Sequence, residues 1–202
     1  MTAVAVMFLL ILLNNISFNV DMSGWFGGRK SVITEKIYLV TPDYKSDIYE
    51  NDVYMSKNRY ITYIEEPFTA IITETNNEYG KIGQFFLDYF KALTDGDAGI
   101  YNNFFTDVYF EDKNNAAYKK FTMQKIYGAE VLKLSESLIN DGSEYNGWTR
   151  YTFRVSYKIM ANDGTFRIDM PSDTAVPQIF ELLYNGETIK INSIIKSKTV
   201  TD

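Results

Sequence analysis

The side chains able to do chemistry in this sequence are carboxylates, phenols and amines, because its 202 residues include no His and no Cys. Without imidazole no side chain has an ordinary pKa near neutrality, so the commonest general acid–base is missing. Ser-His-Asp and Cys-His mechanisms are excluded within this chain, as are zinc sites built on thiolate or imidazole. Carboxylate, Tyr or Lys chemistry remains, together with metals held by oxygen alone. Asp95-Gly96-Asp97 is the first place to look for such a metal. A calcium loop needs acidic or amide residues at alternating positions and a bidentate Glu further on. That spacing is absent, so the triplet reads as a helix stop followed by an N-cap. No catalytic residue, metal ligand or cofactor is assigned. The phenols are the second candidate. Tyr89, Tyr109 and Tyr157 fall on apolar stripes shared with Phe86, Phe90 and Phe153, and these six are the expected lining of any pocket for a small apolar ligand. The bland reading makes the tyrosines core residues with hydroxyls at the rim. Asp169 alternates with Phe166, Ile168 and Met170 and so shares a face with Arg167, the pattern of a solvated cross-strand charge pair.

The elements that must position these groups are legible in the hydrophobic periodicity. Ile82, Phe85, Phe86, Tyr89, Phe90 and Leu93 recur at helical spacing and form one broad apolar stripe. Gly96 supplies a left-handed stop and Asp97 an N-cap. Tyr101, Phe104, Phe105, Val108 and Tyr109 continue the spacing into a second helix over 98–112, and a third, shorter helical piece is expected over 116–124. Upstream, 36–40 and 52–55 read as short strands. Residues 60–64 and 68–73 read as a strand pair or a bent strand around Glu65-Glu66-Pro67, either an edge extension of the main sheet or a small lobe. Downstream the pattern is sheet. A strand over 129–139 closes at Asn140-Asp141-Gly142, and Tyr151, Phe153, Val155, Tyr157 and Ile159 alternate with polar residues. Phe166, Ile168 and Met170 alternate back. Residues 179–184 meet 188–195 across Asn185-Gly186, a strong hairpin signal. Helices followed by an antiparallel meander define an α+β class.

Composition adds limits. Lys and Arg number 20 against 26 Asp and Glu, a net charge of −6, and no basic cluster accompanies the Lys119-Lys120 pair. The electrostatic footprint of a nucleic-acid binder is missing. The 16 Tyr and 14 Phe favour half-buried sheet surfaces. At the amino end, 3–13 is a continuous apolar run and no charge appears before Asp21. The uncharged stretch approaches the roughly 20 residues of a spanning helix. It reads as a membrane anchor, a cleaved signal peptide or a buried core element. No basic residue precedes the run, and Arg29 and Lys30 follow it, which by the positive-inside rule would keep the body in the cytoplasm. Asn15-Ile16-Ser17 fits a glycosylation pattern but sits at the edge of the apolar run and carries no weight. Trp25 and Phe26 fit an interfacial aromatic pair beside a Gly-rich joint. The expected organisation is an anchor or signal segment over 1–22, the joint over 23–30, a β-rich extension over 31–78 and the main domain over 79–202.

Phe90-Lys91-Ala92-Leu93-Thr94-Asp95-Gly96-Asp97, then Phe104-Phe105-Thr106-Asp107-Val108-Tyr109-Phe110-Glu111-Asp112, together with the final hairpin over 181–194, resemble the nuclear-transport-factor-2-like superfamily, also called SnoaL-like or cystatin-like. The resemblance covers about 79–196. It implies a strongly curved antiparallel sheet wrapped around the helices as a cone with an open mouth, where members hold a ligand or a partner. Isomerases of this fold use Tyr, a protonated acid and a carboxylate base, but no catalytic residue of the family matches a position here. The resemblance therefore implies a non-catalytic binding or assembly domain like the membrane-anchored bacterial members, facing outward, with a protein partner or self-association. An isomerase-like or dehydratase-like enzyme, a small-ligand carrier and a secreted domain are the alternatives.

Overall fold

The computed structural model describes residues 38–196 and two short paired segments, β1 (Asn19–Val20) and β2 (Ile33–Thr34). The remainder of the apolar segment over 1–22, the Gly-rich joint and Trp25-Phe26 lie outside the described residues. Among the described residues the chain is α+β. A six-stranded sheet is built from β3 (Ile61–Glu65), β4 (Phe68–Ile72), β5 (Ile126–Leu138), β6 (Thr149–Ile159), β7 (Gln178–Tyr184) and β8 (Ile189–Lys196). Its spatial order is β4-β3-β5-β6-β7-β8, antiparallel throughout except for the parallel β3–β5 pair. A parallel pair needs a long crossover, and the helices lie in this one. The β3–β4 hairpin therefore forms one edge of the main sheet.

The principal helix, α2 (Gly80–Asp95), buries Phe85, Phe86, Tyr89, Phe90 and Leu93, the stripe read from the sequence. It ends as expected. Gly96 takes φ 70, its N–H reaches the Leu93 carbonyl at 3.2 Å, and the Asp97 N–H reaches Ala92 at 3.0 Å. Asp97 then caps α3 (Ala98–Asn102) through a 2.8 Å bond from the Ile100 N–H. The alternating residues Phe153, Val155, Tyr157 and Ile159 of β6 are all buried against this helical layer, while Arg154 points outward.

Five expectations are corrected. The second helix is not continuous over 98–112. It breaks into α3 and α4 (Asp107–Glu111), because the intervening backbone turns to the sheet edge. There the Ile191 N–H donates to Phe104 at 2.7 Å, the Thr106 N–H donates to Ile191 at 3.0 Å, and Thr106 caps α4. Residues 116–124 are extended. Their backbone groups are met from outside by Asn102, which bonds both polar groups of Tyr118, and by Thr165, which accepts from the Thr122 N–H. Residues 52–55 form a helical turn, α1 (Asp52–Met55), because Asn51 caps it through the Tyr54 N–H; residues 38–40 are not strand. Finally, 166–170 is a loop, held by Asn162, whose amide donates to the carbonyls of Arg167 and Met170 at 2.7 and 2.6 Å. Local side-chain bonds offered the backbone an alternative to strand pairing.

Candidate functional site

The six expected pocket residues meet in the interior or at its margin. Phe86 and Phe153 are fully buried and touch edge to face, with ring centroids 5.2 Å apart. Phe90 meets Tyr157 in the same way at 5.4 Å, and Tyr89 meets Phe180 at 5.5 Å. Tyr109 stands apart on α4, half-buried and tilted against Phe105 with ring centroids 4.3 Å apart. Edge-to-face contacts of this kind add to area burial. Phe86 and Phe153 expose 0% of their surface and Tyr89 and Tyr157 1%, so these side chains leave no water-sized space beside them.

The hydroxyls are not at the rim. The Tyr157 hydroxyl accepts from Arg167 Nη1 at 3.4 Å, and Tyr89 and Tyr101 are buried as well, with ring centroids 5.6 Å apart. Arg167 also donates from Nη1 to Gln178 Oε1, and its fork closes on Asp169, Nε to Oδ1 at 2.8 Å and Nη2 to Oδ2 at 3.1 Å. The solvated charge pair read from alternation is therefore corrected: the Arg167 side chain is 8% exposed and that of Asp169 27%. The loop over 161–173 carries Arg167 inward on the bonds made by Asn162, while Asp169 stays at the surface end of the pair. Burial pushes the phenols of Tyr89, Tyr101 and Tyr157 above their ordinary value, so each is a neutral hydroxyl at physiological pH. A base would have to be Asp169, and both of its oxygens already accept from Arg167. The arrangement rigidifies a polar seam inside an aromatic core.

The Asp95-Gly96-Asp97 turn has its carboxylates in use, Asp95 on Lys91 at 2.6 Å and Asp97 as a cap. Among the described residues no group of three or more acidic side chains is placed to hold a metal ion, and no helix is long and apolar enough to cross a membrane.

Two concavities lie away from the seam. One is a groove of about 730 Å³ between α1, the β3–β4 hairpin and α2, with Lys57 and Arg59 on its wall. The other is a cleft of about 420 Å³ with Asp43, Asp47, Glu50 and Asp163 at its edge. In that cleft Asp43 accepts from Ser46, Asp47 from the Tyr49 N–H, and Asp163 from Thr122 and Thr165. The sequence reading missed Arg167 as a buried hub, Gln178 as one of its partners, and the groove. A lone Arg inside the apolar alternation Phe166-Arg167-Ile168 was the available signal for the first. No protein-family model matches this sequence, and neither a curated protein nor a solved structure is similar to it.

Proposed function

We propose that this chain is a non-catalytic binding or assembly domain tethered to the bacterial cell envelope and facing outward, built on a curved-sheet, cone-like fold of the nuclear-transport-factor-2-like kind. The observation that supports the non-catalytic reading is the filled interior, where Phe86 packs on Phe153 and Phe90 on Tyr157; a ligand site inside such a cone would need that space open. The curved-sheet reading is supported by the order of one long helix followed by four antiparallel strands, and by register shifts in β5 at Tyr127/Glu130, where Gly128 takes φ 59, and at Lys133/Ser135. Bulges bend strands and increase their twist. The tether is supported by the apolar run over 3–13.

With the interior closed, a partner would meet the surface. The edge strand β4 supports this, since its outer side has no strand partner among the described residues and it presents Phe68 and Ile71 at 68% and 45% exposure. Addition of a strand from a partner or from a second copy is the recognition mode such an edge favours. The test is membrane fractionation of bacteria making the full chain, followed by protease treatment of intact cells. The proposal expects the chain in the membrane fraction and digestion before lysis. Recovery in the soluble fraction, or digestion only after lysis, would overturn it.

A further inference from the structure

The groove between α1, the β3–β4 hairpin and α2 combines an apolar floor with a cationic wall. Ile61, Ile72, Phe90 and Ile126 lie beneath it and are almost fully buried, so the base of the groove is apolar. Leu87 and Met55 extend this apolar surface outward. The wall carries Lys57, Arg59 and Lys91 against a single lining acid, Glu74, in a chain whose net charge is −6. Lys91 is committed to Asp95. Lys57 and Arg59 have no ion pair among the described residues and stand over tyrosine faces instead. Lys57 Nζ lies 5.2 Å from the Tyr127 ring centroid, and Arg59 Cζ lies 5.7 Å from that of Tyr54.

Those rings are themselves fixed. The Tyr54 hydroxyl donates to the Ile126 carbonyl at 2.9 Å and that of Tyr127 to Asp173 at 2.8 Å. The cations are thus positioned at the groove by cation–π contact while their N–H donors remain free for an anion. A neutral apolar molecule would leave these charges unused, and a cation would be repelled by them.

We propose that this groove binds a small amphiphilic organic anion, an acyl or aryl carboxylate. Its apolar body lies on Met55, Leu87 and the edge of Phe90, and its head accepts hydrogen bonds from Arg59 and Lys57. A pocket of this size with a few convergent polar groups is of the kind that holds small molecules. The site shares only Phe90 with the residues that fill the interior and does not depend on the envelope reading, so its test can fail while that reading stands.

The test uses the full chain and the fluorescent aryl sulfonate 1-anilinonaphthalene-8-sulfonate as probe, with decanoate and 2-naphthoate as competitors. Saturable binding is expected, weakened at least tenfold in the double variant Lys57→Glu, Arg59→Glu and unchanged in Lys113→Glu. Both replaced residues are exposed, so the variant folds, and circular dichroism checks this. Displacement by decanoate assigns the acyl class and displacement by 2-naphthoate the aryl class. Equal binding to the charge-reversed double variant, displacement by neither acid, or no saturable binding would each overturn the proposal. So would equal affinity for the uncharged N-phenyl-1-naphthylamine.

Discussion

Arg167 and Asp169 face each other through two hydrogen bonds, Nε to Oδ1 at 2.8 Å and Nη2 to Oδ2 at 3.1 Å, inside a loop whose sequence alternates like a strand. The remaining Arg167 donor group, Nη1, faces Tyr157 and Gln178. The guanidinium thereby joins β6, β7 and the loop between them. A planar fork suits this position in a way that an ammonium does not.

Replacing Arg167 by Met leaves Asp169, Gln178 and the Tyr157 hydroxyl without their shared donor. The loss should be about 3 kcal/mol, the lower end for a broken buried pair because Asp169 is partly exposed. Arg167→Lys should recover only part of it. Urea unfolding of the two variants, with the slope checked for constancy, measures both.

The buried phenols predict alkaline lability. Tyr89, Tyr101 and Tyr157 are pushed up by burial, and Tyr54 to about 12, chiefly by burial as well. Above pH 10 the unfolded chain gives up these protons before the folded chain does, so stability is fully present below that value and falls as pH rises. The expected slope is about 1.4 kcal/mol per pH unit for each such phenol. Absorbance at 295 nm should rise together with unfolding rather than before it. With no His in the chain, stability should be flat between pH 6 and 9.

Gly96 and Gly186 both take positive φ, at 70 and 97, but only one is crowded. A Cβ at Gly96 would lie 2.9 Å from the Met123 backbone nitrogen, whereas Gly186 has open space. Gly96→Ala should cost about 2 kcal/mol or more, from backbone strain plus a backbone clash, and Gly186→Ala about 1 kcal/mol, from strain alone. Thermal melts of the two variants compare them directly.

Asp97 serves as a cap, so Asp97→Ala should cost about 1 kcal/mol, while Asp97→Asn should be close to neutral. Millimolar calcium should leave the melting temperature of the parent protein unchanged. A calcium-dependent increase lost in both variants would return the turn to the metal-loop reading.

The parts of the fold written as periodic apolar residues were legible. The α2 stripe from Ile82 to Leu93, the alternation from Tyr151 to Ile159 and the Asn185-Gly186 hairpin each appear where their spacing places them. The misread parts share a cause. At 98–112 the apolar spacing was helical, yet the backbone between Asn103 and Thr106 found a better partner in Ile191, far away in sequence. At 166–170 a strand-like alternation lost to three bonds made by the Asn162 side chain, two to carbonyls and one from the Gly164 N–H. Such contacts have no period. The buried seam was hidden for the same reason, since nothing in the types of Tyr157, Gln178 and Arg167 says that their polar ends converge. Lys57 and Arg59 read as ordinary surface charges until the groove beside them is seen.

The filled interior is tested most directly by titrating the protein with benzene while following the aromatic NMR signals of Phe86, Phe153 and Tyr157, with Phe86→Ala as the comparison. That variant should lose about 3–5 kcal/mol and acquire an apolar cavity able to take the probe. The parent protein should show no saturable shift at Phe86, Phe153 or Tyr157, whereas the variant should show one at Phe153 and Tyr157. Saturable shifts at Phe86 and Phe153 in the parent protein would contradict a closed core and restore a ligand site inside the fold.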